Sequence, residues 1–221
     1  MGLNFDETQT RRLPVYLLLD TSGSMAGAPI VAVNNGVGLL YRELMNNPNA
    51  VDTVWLSVIT FAQGARRYPL TELSRFTPPP LTAGGPTALG EALRELGRAL
   101  DADIVPNSPD RKGDYKPLAF LLTDGAPTDE WRTAAQALKS RTVARLGTFV
   151  ALGCGDEVKV DVLKEVSDQV MLMRDVQAES LQEFFRWVSA SVKAASIAAP
   201  RMGTGQSLTA MPPPPPSIDM L

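Results

Sequence analysis

Histidine is wholly absent from the 221 residues, and Cys154 is the only cysteine. The first absence removes Ser/His and Cys/His nucleophilic systems and every histidine-ligated zinc site. The second excludes an internal disulfide and suits a reducing compartment. Nothing approaches the roughly 20 consecutive apolar residues of a membrane span. The opening MGLNFDETQTRRLP has no apolar segment of a secretion signal, so the expectation is a cytoplasmic chain. An excess of one charge is also missing. With 21 basic against 24 acidic residues the net charge is -3, which gives no long-range attraction to nucleic acid or an anionic membrane. The pairs Arg11-Arg12 and Arg66-Arg67 read as solvated surface. Any metal bound here must be held by oxygen.

What is present is an ordinary globular composition, 44% hydrophobic and 20% charged, long enough for one large domain with a real core. LPVYLLLD (13–20) is a continuous apolar run of strand length, as expected of a central strand buried on both faces. Ile30, Val33, Val37, Leu40, Tyr41 and Leu44 then recur at helical spacing, with Pro29 suited to a first turn. Asn34-Asn35-Gly36 is a turn signal, but the apolar period runs through it and predicts one helix. Residues 51–73 predict two strands joined at Gln63-Gly64, the second polar enough for an antiparallel edge. A Pro/Gly loop follows, and Leu89, Leu93, Leu96 and Leu100 stripe the helix after Thr87. KPLAFLLTDG (116–125) repeats the design of the first strand: a buried run ending in aspartate and glycine. A helix near 129–140, a strand over 145–153, a short helix near 158–166 and a strand over 169–173 continue the alternation. The last helix is expected to begin at a capping box, Ser180 to Glu183.

This order predicts an α/β fold: a doubly wound, mainly parallel sheet with one antiparallel edge strand and helices on both faces. The expected organisation is a lead-in over 1–12, a domain over 13–196, and a flexible proline-rich tail over 197–221. The tail reads as a linker or as a polyproline ligand for a partner groove.

In open α/β sheets ligands bind beyond the carboxyl ends of the strands, where the strand order reverses. Asp20 and Asp124 both stand at such ends. In DTSGSM (20–25) the freedom of Gly23 lets Asp20, Ser22 and Ser24 converge on one point. Two carboxylates with the hydroxyls of Ser22, Ser24 and Thr87 make a hard oxygen set suited to Mg²⁺, and one that also admits Mn²⁺ or Ca²⁺. So sparse a site leaves a position open, which a carboxylate of another protein could fill. Taken singly, each element has a plainer use: Ser22 or Ser24 capping the first helix, Thr87 capping the later one, Asp124-Gly125 as a turn. Taken jointly, convergence at one end of the sheet favours a site.

DTSGSM resembles the D-x-S-x-S signature of the von Willebrand factor A domain, and Thr87 and Asp124 stand where that family's other metal-ion-dependent adhesion site ligands belong. The resemblance spans roughly 13–196 and implies a non-catalytic module that binds protein carboxylates through Mg²⁺ held by Asp20, Ser22, Ser24, Thr87 and Asp124. AGGPTALGEAL (83–93), LLTDGAPTDEW (121–131) and FFRWVSASV (184–192) further resemble the bacterial tellurium-resistance Y protein family. That narrower likeness implies a scaffold in a stress response, with a protein kinase and a protein phosphatase as partners.

The alternative is a Mg²⁺-dependent phosphohydrolase with Asp20 as nucleophile. Such enzymes resemble D-x-D, and here the second acid is replaced by Ser22, which leaves no evident general acid. A nucleotide switch lacks the G-x-x-x-x-G-K-[ST] loop. Trp131 reads either as a rim contact for a partner or as core packing, and Cys154 as a small buried thiol.

Overall fold

The computed structural model describes residues 11–109, 112–198 and 211–221. Strand β1 (Leu13–Asp20) is buried along its whole length, as an apolar run without polar alternation requires. Parallel neighbours flank it: β2 (Val54–Phe61) on one side and β4 (Leu118–Thr123) on the other. Beyond β2 lies β3 (Ala65–Glu72), antiparallel and joined through the tight turn where Ala62 N–H donates to Gly64 O at 3.0 Å. Beyond β4 lie β5 (Thr148–Cys154) and β6 (Gln169–Met173), both parallel. A seventh strand, β7 (Ile218–Met220), closes the far edge antiparallel to β6, giving the order β3-β2-β1-β4-β5-β6-β7.

Alternation along the strands builds two cores. Leu13, Val15, Leu17 and Leu19 point to the face covered by α1 (Ala28–Met45) and α6 (Ala178–Ala198). Tyr16 and Leu18 point to the other, covered by α3 (Leu89–Asp103), α4 (Arg132–Lys139) and α5 (Val160–Val166). The expected mainly parallel, doubly wound sheet is therefore present, with an antiparallel strand at each edge.

The Asn34-Asn35-Gly36 signal is overridden by packing. Asn34 Nδ2 donates to Ile30 O and Leu81 O, and its Oδ1 accepts from Leu81 N–H, each at 2.9 Å, so the side chain clamps a crossing loop. Gly36 lies under Phe185 of α6, whose ring would stand 2.0 Å from any Cβ placed there.

Elsewhere the structure departs from the sequence reading. A short helix, α2 (Pro48–Thr53), capped by Asn47 Oδ1 on Ala50 N–H at 3.0 Å, occupies the start of the first of the two strands expected over 51–73. The last helix begins at Ala178, with Leu181 N–H already bonded to Gln177 O at 3.1 Å, so Ser180 lies inside its first turn and is not its cap. Of the tail expected to be flexible over 197–221, residues 199–210 lie outside the described residues and 211–221 dock on the domain. Trp187 Nε1 donates to Pro212 O at 2.9 Å, Leu221 N–H donates to Val170 O at 3.0 Å, and Ile218 is 4% exposed. A proline run without periodicity carries no sign of this, because the docking depends on an open sheet edge. No helix among the described residues is long and apolar enough to cross a membrane.

Candidate metal centre

The chain leaves β1 for one side of the sheet and later returns to its other side as β4, so the strand order reverses between these two neighbours. Asp20 ends β1 and Asp124 immediately follows β4, which puts both carboxylates at the reversal. Backbone bonds shape the turn after Asp20: Gly23 N–H donates to Gly85 O and Gly84 N–H to Thr21 O, both at 2.8 Å. Met25, fully buried, anchors its end in the core. Gly85 has φ +87°, in the region that favours glycine.

The oxygen groups meet as the sequence anticipates. Asp20 Oδ1 accepts from Ser22 N–H at 2.8 Å, Ser22 Oγ lies 3.1 Å from Ser24 Oγ, and Ser24 Oγ donates to Asp124 Oδ1 at 2.8 Å. Thr87 Oγ1 lies 3.4 Å and Ser24 Oγ 4.0 Å from where a Cβ on Gly125 would stand, so both hydroxyls lie beside the glycine after Asp124. The plainer capping uses fail. The N-cap position of α1 is Gly27, so neither serine caps that helix, and Ser22, ahead of the tight turn Gly23–Met25, makes no side-chain cap bond there. The α3 N-terminus is capped from another loop, by Asp129 Oδ1 and Oδ2 on Gly90 and Glu91 N–H, both at 2.9 Å, leaving the Thr87 hydroxyl free of that task.

Three supporting residues escaped sequence reasoning. Thr123, on the neighbouring strand, donates its hydroxyl to Asp20 Oδ2 at 2.6 Å and fixes the carboxylate plane. Thr128 binds the Thr87 backbone at both ends, accepting Thr87 N–H on Oγ1 at 3.1 Å and donating its own N–H to Thr87 O at 2.9 Å. With Asp129 it ties the loop carrying Thr87 to the loop carrying Asp124. Only the short spacing of TDGAPTD hinted at this.

Asp20 is fully buried, and Ser22, Thr87 and Asp124 are each under a tenth exposed. Burial raises the pKa of both carboxyls above the ordinary range. The bonds from Ser22 and Thr123 to Asp20, and from Ser24 to Asp124, pull the other way. The charges acting on them are themselves negative, Asp124 on Asp20 and Glu157 on Asp124. Among the described residues neither carboxylate has an ion pair. Two buried acids without a cation, ringed by three hydroxyls, fit a hard divalent ion. No cluster of three or more His, Cys, Asp or Glu suited to a metal occurs among the described residues. Cys154 is no ligand: fully buried, its thiol donates to Thr123 O at 3.3 Å, and burial raises its pKa well above the ordinary value. Trp131 is core, 7% exposed with the Arg132 guanidinium 4.7 Å over its ring.

The fold is shared with solved structures of low sequence identity. A von Willebrand factor type A protein from Catenulispora acidiphila is 24% identical with a TM-score of 0.63, the match covering 83% of this chain and 43% of that one. Proximal thread matrix protein 1 from the mussel byssus, described with a zinc-occupied MIDAS motif, is 19% identical with a TM-score of 0.58, covering 82% and 48%. The pilus adhesin SpaC from Lactobacillus rhamnosus GG in its open conformation is 16% identical with a TM-score of 0.64, covering 84% and 30%. The chain thus spans less than half of each of these relatives. No curated protein matches. The model of the von Willebrand factor type A domain matches residues 15–187, most of the length, and the chain belongs to that family.

Proposed function

We propose that this chain is a metal-dependent protein-binding module. Asp20, Ser22, Ser24, Thr87 and Asp124 would hold a divalent ion, Mg²⁺ by the hardness of the oxygens, and a partner's Asp or Glu carboxylate would complete its coordination. The observation that carries this reading is the pair of buried, unneutralised carboxylates at the reversal of the sheet. Only two negative ligands face such an ion, so it keeps a strong attraction for a third. The mussel protein described with zinc in its MIDAS motif supports a divalent ion in this fold and leaves the choice among Mg²⁺, Mn²⁺, Ca²⁺ and Zn²⁺ to measurement.

Binding and not catalysis is the reading we adopt. A phosphohydrolase using Asp20 would need an acid where Ser22 stands, and no histidine is available to replace it. We place the chain in the cytoplasm, on its single cysteine. We further infer a scaffold role beside a protein kinase and phosphatase in a tellurium-resistance or stress response. Its support is the motifs AGGPTALGEAL, LLTDGAPTDEW and FFRWVSASV alone.

The test is affinity purification from cell extract with wild type and Asp20→Ala, with magnesium and with chelator, beside calorimetric titration of each metal. Partners lost on chelation and in the variant, with near-native circular dichroism, are the expected result. Partner binding indifferent to both treatments overturns the proposal.

A further inference from the structure

The outer surface where α1 meets α6 carries a second polar site, unrelated to the metal face. A groove of about 410 Å³ lies between the helices, lined by Asn34, Asn35, Gly38, Leu39 and Arg42 of α1 and by Gln182 and Arg186 of α6. Its volume falls within the roughly 300–1,000 Å³ of small-ligand sites, but its lining is mostly polar. Gly38 brings no side chain to the lining, and a Cβ there would stand 3.4 Å from Arg42 Nη1. Phe185, next to Arg186 in α6, sits directly on Gly36 of α1, which holds the two helices close beside the groove.

Neither Arg42 nor Arg186 has an ion pair among the described residues. The neighbouring acids are engaged elsewhere. Glu43 feels the charge of Arg186, but its carboxylate takes Lys193 Nζ at 3.1 Å and the Ser189 hydroxyl. Glu183 takes the Ser217 hydroxyl of the docked tail. On a chain of net charge -3 this leaves two guanidiniums from two helices lining one groove, neither held in an ion pair among the described residues, with Glu43 acting on Arg186 only at longer range. Each offers five N–H donors in a rigid fork, and together with the amides of Asn35 and Gln182 they exceed what a single carboxylate can accept. A dianionic group with three acceptor oxygens matches them.

We propose that this groove binds a phosphoryl group, carried on a phosphorylated serine or threonine of a partner protein. Both arginines are exposed at the surface, so the groove can be reached by a group carried on another chain, and half-buried Leu39 offers apolar surface to the residue that carries it. No covalent step is involved.

The test uses the full-length chain in chelator, so that the metal site takes no part. Fluorescence anisotropy compares a neutral labelled peptide with one phosphoserine against the same peptide with serine or glutamate there. The phosphopeptide binds saturably and the other two at least about tenfold more weakly, since a tenfold change is one lost charge-assisted bond. Arg42→Gln and Arg186→Gln each weaken it about tenfold, Lys at either position restores only part of the loss, and Asp20→Ala changes nothing. Both arginines are exposed, and circular dichroism of the double Gln variant checks the fold. Equal binding by the double variant, equal binding of the glutamate peptide, or no saturable binding overturns the proposal. Displacement by inorganic phosphate as effective as by unlabelled phosphopeptide overturns the side-chain source and assigns the groove to free phosphate. Because Asp20→Ala leaves this site intact, its failure and that of the metal-dependent reading are separately visible.

Discussion

Thr123 on β4 holds Asp20 on β1: its hydroxyl donates to Asp20 Oδ2 at 2.6 Å, across two neighbouring parallel strands. Thr123 is 2% exposed, so water cannot replace that donor. Thr123→Val keeps the shape and removes the bond. The expected outcome is a loss of metal affinity of about 10–100-fold, the usual penalty for removing a residue that orients a ligand. Calorimetric titration measures it, and an affinity unchanged from wild type would show that the turn alone orients Asp20.

Asp129 is expected to matter for the same site from further away. It caps α3 directly after Thr87 while standing in the loop that follows Asp124. Asp129→Ala removes two bonds to backbone N–H groups, with an expected loss of about 0.5–2 kcal/mol in stability. Because the tie between the two loops slackens, metal affinity should fall as well. Combined denaturant and metal titrations separate the two effects.

The sign of the pH dependence follows from burial. Asp20 and Asp124 have folded-state pKa values raised above those of the unfolded chain. The stability they contribute is complete below the unfolded carboxyl pKa of about 4 and is lost as pH rises through the raised folded values. A divalent ion reverses this, since it binds the charged forms. The stability gained on adding magnesium, read as a rise in thermal midpoint, is therefore larger at neutral pH than at mildly acidic pH, and amounts to about 2.7 kcal/mol at a hundredfold excess over Kd. Asp124→Asn should raise metal-free stability near neutrality and abolish the magnesium-dependent gain. A scanning thermal melt over pH, with and without metal, decides it.

Gly36→Ala tests the seat of α6. The new methyl would meet the Phe185 ring at 2.0 Å, and Phe185 is fully buried, so the helix pair must part. Overpacking of this kind costs about 1–3 kcal/mol, read as a lower urea midpoint with an unchanged slope.

Ile218→Asp tests the docked C-terminal segment. The side chain is 4% exposed and faces the core with α6, so a charge there releases β7. Hydrogen exchange at the Ile218 and Leu221 amides should quicken to the rate of an open chain, while β1 and β4 keep their protection. Protection of both amides in the variant would show that the proline run alone holds the segment.

The residues that make elements were plain from the sequence because they obey local rules. LPVYLLLD and PLAFLLTD are uniformly apolar runs of strand length, which read as buried strands, and their terminal aspartates mark a candidate site at the sheet's carboxyl end. The five oxygen residues, the sheet class and the antiparallel β3 followed from the same one-dimensional patterns. Partnership was decided only in three dimensions. Nothing local says that Thr123 serves Asp20, that Asp129 caps a helix 38 residues earlier in the chain, or that Gly36 exists to admit Phe185. The proline-rich segment reads as a linker until an open edge at β6 and the indole of Trp187 are there to receive it. Periodicity records which face of an element seeks burial, but which distant group fills it depends on how the sheet brings strand ends and helix surfaces together.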